Sequence, residues 1–292
     1  MYWKSPHRRA LPSPEGRTLV MGIVNVTPDS FSDGGLHAAP EAAAAHARQL
    51  VAEGADVLDL GAESTRPGHA PVSTTEELAR LLPALHAIRA ALPDTPVSVD
   101  TCKAEVAAAA VAAGADIIND IWGGLLGAEG AEGGHSPMCA AAARTAAPLI
   151  LMHNRATPAP DAVFWETFLG DMRTMLALAR DAGVPDSQIW LDPGFGFGKT
   201  PAQNLECLRH LDRLAQLGFP VLLGTSRKST LGLVLGGAPV HERLDADKAA
   251  AAWGVSHGAA MVRVHDVAAY IGVLRMADAI KSGLGWRSSR RF

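Results

Sequence analysis

The sequence predicts a closed (β/α)8 TIM barrel, a single α/β domain, and three observations predict it. Short apolar runs alternate with alanine-rich helical stretches along almost the whole of the 292 residues. Most of the runs are continuously apolar, as suits parallel strands covered on both faces. There are eight of them, in a chain of the size that one such barrel occupies.

In order, the strand runs are Leu19–Val24, Val57–Leu60, Val97–Val99, Ile117–Ile118, Leu149–Met152, Ile189–Leu191, Val221–Leu223 and Met261–Val264. The main helical stretches are Glu41–Glu53, Glu76–Leu92, Lys103–Ala113, Phe164–Ala182, Gln203–Leu217, Asp245–His257 and Val267–Lys281. A barrel of about residues 18–282 results, with flexible tails at both ends. Three units close on a common phrase before the next strand: Gly54-Ala55-Asp56, Gly114-Ala115-Asp116 and Gly258-Ala259-Ala260. Glycine just past a helix end relieves the left-handed turn, so these positions read as structural. The fourth unit is irregular. Glycine-rich Trp122–His135 comes after its strand and reads as a long loop before a short helix around Met138–Arg144. A doubly wound open sheet would want G-x-G-x-x-G after the first strand, which Asn25–Gly35 does not supply.

Bulk composition narrows the function classes. Apolar residues make up 48%, enough for a sizeable core, and the formal net charge of −4 gives no reason to expect nucleic acid or an acidic membrane as partner. Cys102, Cys139 and Cys207 are widely spaced and odd in number, which supports neither a disulfide framework nor a zinc site. The N-terminus lacks the apolar core of a signal peptide, and no stretch approaches the length of a membrane span. A cytoplasmic protein is expected.

The informative pattern lies in the polar residues that terminate each apolar run. Asn25 ends the first, Asp59 and Glu63 mark the second, Asp100 the third, and Asn119 and Asp120 the fourth. His153 comes after the fifth run and Asp192 after the sixth; Ser226, Arg227 and Lys228 come after the seventh; Arg263 and His265 belong to the eighth. In a parallel barrel all of these converge on the C-terminal rim, where such enzymes keep their active sites. One Asp there is often only a helix cap, but polar groups at nearly every strand end are costly to gather unless a ligand compensates.

Three loops add detail. Asn25–Gly35 holds turn residues beside the hard oxygens of Asn25 and Asp33, suited either to Mg²⁺ beside a phosphate or to an ordinary Asx-turn. Glu63–Gly68 offers hydroxyls and the Arg66 guanidinium, for an anion or for solvent. Gly224–Ser229 opens a helix with hydroxyls and cations, an anion site unless Ser229 is simply the N-cap. Arg263 and His265, two apart, point to one face by strand periodicity and suit a diphosphate. Asp100, Asn119, Asp192 and Lys228 form a donor–acceptor array for a flat heterocycle, with Met152 and Phe197 as apolar walls. No nucleophile elbow is present, and Gly194–Gly198 contains no nucleophile.

Met21–Gly35, Gly61–Gly68, Ser98–Thr101, Ile118–Asp120, Leu151–His153, Leu191–Lys199, Ser226–Ser229 and Arg263–Val267 together resemble the signature of the dihydropteroate synthase family of pterin-binding enzymes, in family order. The resemblance implies condensation of 6-hydroxymethyl-7,8-dihydropterin diphosphate with p-aminobenzoate, with diphosphate released. It implies that Asp100, Asn119, Asp192 and Lys228 hold the pterin against Met152 and Phe197. Asn25, Arg263 and His265 would take the diphosphate, Asn25 with Mg²⁺ and Asp33 closing over it, while Thr65, Arg66 and Ser229 would meet p-aminobenzoate. Asp100, Lys228, Arg263, His265 and Asp33 are the implied catalytic residues. Diphosphate departs with Mg²⁺ assistance, leaving a pterin methyl cation for the amine to attack, and a homodimer is implied.

Departures from the family pattern are Cys102, Ala104, the Asn154–Pro158 stretch and the loop starting at Trp122. Two other readings stand beside this one. One is a non-catalytic or methyltransferase-type pterin-binding barrel; that of corrinoid-dependent methyltransferases shares the pocket without the diphosphate and p-aminobenzoate loops. A phosphosugar aldolase or isomerase would want a Schiff-base lysine on a strand, and Lys228 lies past its strand.

Overall fold

The computed structural model describes residues 3–27, 35–64, 71–128 and 135–285. Eight parallel strands close on themselves in sequence order: β1 (Leu19–Asn25), β2 (Val57–Gly61), β3 (Val97–Asp100), β4 (Ile117–Asp120), β5 (Leu149–Met152), β6 (Ile189–Asp192), β7 (Val221–Leu223) and β8 (Ala259–Val264). The ring closes where Leu19 to Gly22 pair with Met261 to Val264. The described helices are α1 (Gly35–Glu53), α2 (Thr74–Ala91), α3 (Ala104–Ala112), α4 (Pro137–Thr145), α5 (Phe164–Asp181), α6 (Pro201–Arg209), α7 (Asp212–Ala215), α8 (Ser229–Val234), α9 (Leu244–Ser256) and α10 (Val267–Ser282). The barrel expected from the sequence is the barrel observed.

Boundaries differ from expectation for physical reasons. Five strands run one or two residues past the apolar run, ending on Asn25, Gly61, Asp100, Asp120 and Asp192. Ladder pairing is a backbone matter, so Asn25 still pairs with Gly61 and Asp100 with Asn119 although the side chains have turned polar. The stretch read as one helix over Gln203–Leu217 is two, α6 and α7. Cys207, Leu211 and Leu214 keep helical spacing and burial across the break, which hides it from periodicity. Pro40 lies inside α1, so the apolar pattern alone starts that helix at Glu41. Gly54, Gly114 and Gly258 have φ of +114, +112 and +108°, the conformation their position after a helix requires. Caps fix other helix starts, notably the reciprocal Thr200–Gln203 capping box of α6.

Two apolar layers arise from the period-two geometry of a strand. Outward residues such as Val20, Leu58, Val99, Ile118, Leu151, Leu191, Leu223 and Val264 join the helices in the larger core. Inward residues at the N-terminal end form a separate plug of Leu19, Met21, Val57, Ile117, Ile150, Trp190, Leu222 and Met261.

The N-terminal segment, expected as a flexible tail, completes that plug instead. The Trp3 ring lies 4.4 Å from that of Trp190 and is 4% exposed. Buried Asp116 fastens the segment, accepting from Ser5 Oγ and, at 2.8 Å, from Arg9 Nε. His7 Nε2 lies 2.9 Å from the carbonyl of Val111. Leu19 to Met261 therefore have an aromatic lid in place of water. We predict that Trp3→Ala costs about 3–5 kcal/mol through the cavity left behind. Calorimetry would show a melting midpoint lower by several degrees with ligand affinity at the opposite rim retained; an unchanged midpoint contradicts the plug.

Candidate active site

Moving two residues along each strand from the apolar plug reaches the same inner face one level higher, and there the chemistry changes. Met21 gives way to Ile23, Val57 to Asp59, Ser98 to Asp100 and Ile117 to Asn119. Ile150 likewise leads to Met152, Trp190 to Asp192, Leu222 to Gly224 and Met261 to Arg263. All of these upper-level residues except Asp59 line one cavity, joined by Ile121, Phe195, Phe197, Ser226 and Lys228. Asp100, Asn119, Asp192, Lys228, Arg263, Met152 and Phe197, separated by up to 163 positions in sequence, share it.

Arg263 organises the floor. Its Nε donates to Asp59 Oδ2 at 2.5 Å and its Nη2 to Asp100 Oδ2 at 2.6 Å. Asn119 Nδ2 donates to the same Asp59 oxygen at 3.1 Å. Burial and charge oppose each other here. Burial raises the Asp100 carboxyl to about 7, with Arg263 pulling it down and Asp59 pushing it up. Burial disfavours the Arg263 cation, yet the carboxylates of Asp59 and Asp100 hold its pKa above the usual arginine value. Two carboxylate oxygens, Asp59 Oδ1 and Asp100 Oδ1, are buried without a hydrogen-bond partner among the described residues. A buried acceptor left unpaired costs about 1–3 kcal/mol, so these two atoms ask for donors.

The opposite wall is built by the turns after β6 and β7. Asp192 Oδ1 accepts from Gly194 N at 2.7 Å, and burial raises this carboxyl to about 6. Lys228 Nζ sits 3.8 Å from the Phe197 ring centroid, a cation over an aromatic face. Burial and neighbouring Arg263 lower its pKa to about 8 against the pull of Asp192 and Asp100. Three acids and two cations thus face one another with unused hydrogen-bonding capacity. A planar ring carrying both N–H and C=O groups fits such a set.

Other residues expected at the rim fall into three groups. Asn25 ends β1 beside Gly61, where a side chain at 61 would lie 3.6 Å from Asn25 Oδ1 and 3.7 Å from Asp100 Oδ2. These are ordinary contact distances, and they place the Asn25 amide oxygen close to the Asp100 carboxylate. Strand β8 ends at Val264, so strand periodicity no longer aligns His265 with Arg263. His265 lines a neighbouring cleft with Arg227 and Asp266, and its Nδ1 lies 3.0 Å from Ser226 Oγ, which does line the cavity. Ser229 is exposed at the first turn of α8; Lys228, not Ser229, is the N-cap residue. Asp33, Thr65 and Arg66 lie outside the described residues.

Several polar strand ends prove structural. Asp120 accepts from Trp122 N and Gly124 N, folding the fourth loop back. Lys103 Nζ bridges Glu63 and Glu77 at 2.6 Å each. His153 is buried between Asp171, 3.1 Å from Nε2, and Lys199, 2.8 Å from Nδ1, and burial lowers its pKa to about 4. Asp59 is the residue whose part the strand-end reading understates. A carboxylate inside the apolar run Val57–Gly61 was the available signal, since its alternation places it on the inner face.

Known proteins agree with this geometry. The model of the pterin binding enzyme family matches residues 21–265. The dihydropteroate synthase of Clostridium beijerinckii is 45% identical over 90% of this chain and 94% of its own. The Clostridium difficile dihydropteroate synthase solved in the presence of pteroic acid superposes with a TM-score of 0.85 at 41% identity, covering 93% of this chain and 99% of that one. The Xanthomonas albilineans enzyme with 4-aminobenzoic acid gives 0.81 at 44% identity, over 91% and 94%. Sequence, fold and cavity thus lead to one placement: the chain belongs to the pterin-binding enzyme family, among the dihydropteroate synthases.

Proposed function

We propose that this chain condenses 6-hydroxymethyl-7,8-dihydropterin diphosphate with p-aminobenzoate, giving 7,8-dihydropteroate and free diphosphate. The observation that carries the reading is the orphaned Asp100 Oδ1, facing a cavity that also holds Asn119, Asp192 and Lys228. A pterin edge presents N–H groups that such an oxygen accepts, and ring nitrogen and carbonyl acceptors for the Lys228 ammonium. Met152 and Phe197 would cover the two faces of the ring. Support for the second substrate comes from the Xanthomonas relative, whose structure contains 4-aminobenzoic acid.

The reaction needs no protein nucleophile. The methylene–oxygen bond breaks with its electron pair leaving on diphosphate, the amine nitrogen forms the new carbon–nitrogen bond, and an amine proton is lost to water. Positive charge that develops on the pterin methylene is favoured by Asp100 beside the ring, while Asn25, Arg263 and His265 would receive the diphosphate at the mouth. Asp33 would close over it, and Thr65, Arg66 and Ser229 would hold p-aminobenzoate.

Mg²⁺ fits this mouth as an ion brought largely by the substrate. Among the described residues no three His, Cys, Asp or Glu side chains gather to hold a metal. The amide oxygen of Asn25, beside Gly61 at the end of β1, would supply one hard ligand, with diphosphate and water the rest. When bound, the ion would neutralise charge on the leaving group. No described helix is long and apolar enough to cross a membrane. Cytoplasmic residence and a homodimer belong to the same proposal and rest on family membership.

Two outcomes check the reading. Diphosphate release with both substrates and Mg²⁺ should be robust in the wild type and fall sharply in Asp100→Ala and Lys228→Ala. Asp100→Ala should weaken pterin binding by about 2–5 kcal/mol, because it strands Arg263 and removes the ring's acceptor; unchanged affinity by calorimetry contradicts the assignment.

The second is pH dependence. Pterin recognition needs ionised carboxylates and a protonated Lys228. Protonation below the raised values of about 7 for Asp100 and about 6 for Asp192 removes acceptors, and deprotonation above about 8 discharges Lys228. The kcat/KM for pterin diphosphate should therefore rise towards neutrality and fall on the alkaline side. Lys228→Arg should move the alkaline limb upward, since guanidinium stays charged. A profile flat across this range would rule out these groups.

A further inference from the structure

The turn that carries Ser226 and Lys228 into the cavity holds a conformation its own sequence disfavours. Residues 225–228 close a tight turn, with Lys228 N donating to Thr225 O at 3.1 Å. The third position of the turn, Arg227, has φ of +62°. A positive φ there belongs to turns that select glycine or asparagine, because a side chain crowds the backbone. Arginine adopts it only when surrounding structure over-determines it, and such residues gather at functional sites.

What over-determines it is a carboxylate from a distant helix. Asp247 on α9 is 1% exposed, its Oδ1 accepting from Thr225 Oγ1 at 2.7 Å and its Oδ2 from Arg227 N at 2.8 Å. One buried side chain therefore grips the first and third residues of the turn. The Arg227 guanidinium pairs with Asp266 at 2.9 Å, and Arg243 Nη1 donates to the Arg227 carbonyl at 3.1 Å. Those outer contacts are exposed, whereas the Asp247 contacts lie beneath the turn. The consequences reach both halves of the site. Lys228 enters the cavity over Phe197, and Ser226 lines it while bonding His265.

We infer that Asp247 is a positioning residue for the pterin and diphosphate subsites, holding Arg227 in the left-handed conformation that presents Ser226 and Lys228 together. Asp247 lines neither the cavity nor its mouth, so its effect passes through the turn. The inference rests on the pterin reading of that cavity.

The experiment separates geometry from side-chain chemistry. Asp247→Ala removes both accepting oxygens, so both contacts fail. It should weaken pterin binding by calorimetry, and lower kcat/KM for pterin diphosphate, by about 100-fold, the scale of an ångström-sized misplacement. Adding Arg227→Gly should restore most of that loss, since glycine adopts positive φ unaided. A loss without rescue, or unaltered affinity in folded Asp247→Ala, overturns the proposal.

Should Asp247→Ala not fold, Arg227→Ala against Arg227→Gly gives the same answer. Both lose the Asp266 pair and differ only in tolerance of positive φ. Alanine should bind pterin more weakly than glycine, and equal affinities overturn the proposal. A wild type that binds no pterin would instead remove the functional reading beneath it.

Discussion

One guanidinium holds the upper floor of this barrel together. Arg263 is clamped by Asp59 and Asp100, and Asn119 shares the Asp59 oxygen. Alone, any of these groups would be expensive so deep in the ring; together they neutralise one another and leave specific atoms unsatisfied. Replacing the set with leucines would favour folding. Its presence is intelligible as recognition chemistry, in which the unpaired Asp100 Oδ1 on the cavity wall is where the protein's own bonding stops.

The placement of that set comes from the alternation of a strand. The same inner face is largely apolar near the N-terminal ends and largely polar one step along, so most of the short strands contribute first to the plug and then to the cavity. Trp3 seals the plug from below. The barrel is stabilised at one mouth and chemically equipped at the other, and neither task compromises the other. Turns after β6 and β7 then supply what strands cannot, aiming Phe197, Ser226 and Lys228 inward from outside the ladder.

Much of this was legible in the sequence. Eight short apolar runs and the intervening helices carry the barrel, and polar residues at strand ends carry most of the cavity. The hidden parts have physical causes. Strands outlast their apolar runs because hydrogen bonding is indifferent to side chains, as at Asp100 and Asp192. His153, Glu63 and Asp120 sit at strand ends like the cavity residues, and only their partners reveal structural work. His265 stands two residues after Arg263, yet lies past the strand in a neighbouring cleft and meets the cavity only at its edge, through Ser226 Oγ. Trp3 precedes every regular element, so no periodicity announces its burial. The grip of Asp247 on residues about 20 positions away is a tertiary fact with no local signature.

The most direct test is a crystal structure of this chain with pteroic acid. The account predicts the pterin ring within the upper barrel, a ring N–H donating to Asp100 Oδ1, Asp192 and Lys228 on its remaining edges, and the Arg263 clamp intact. A ring bound outside the strands, or an Asp100 oxygen still without a donor, would contradict it.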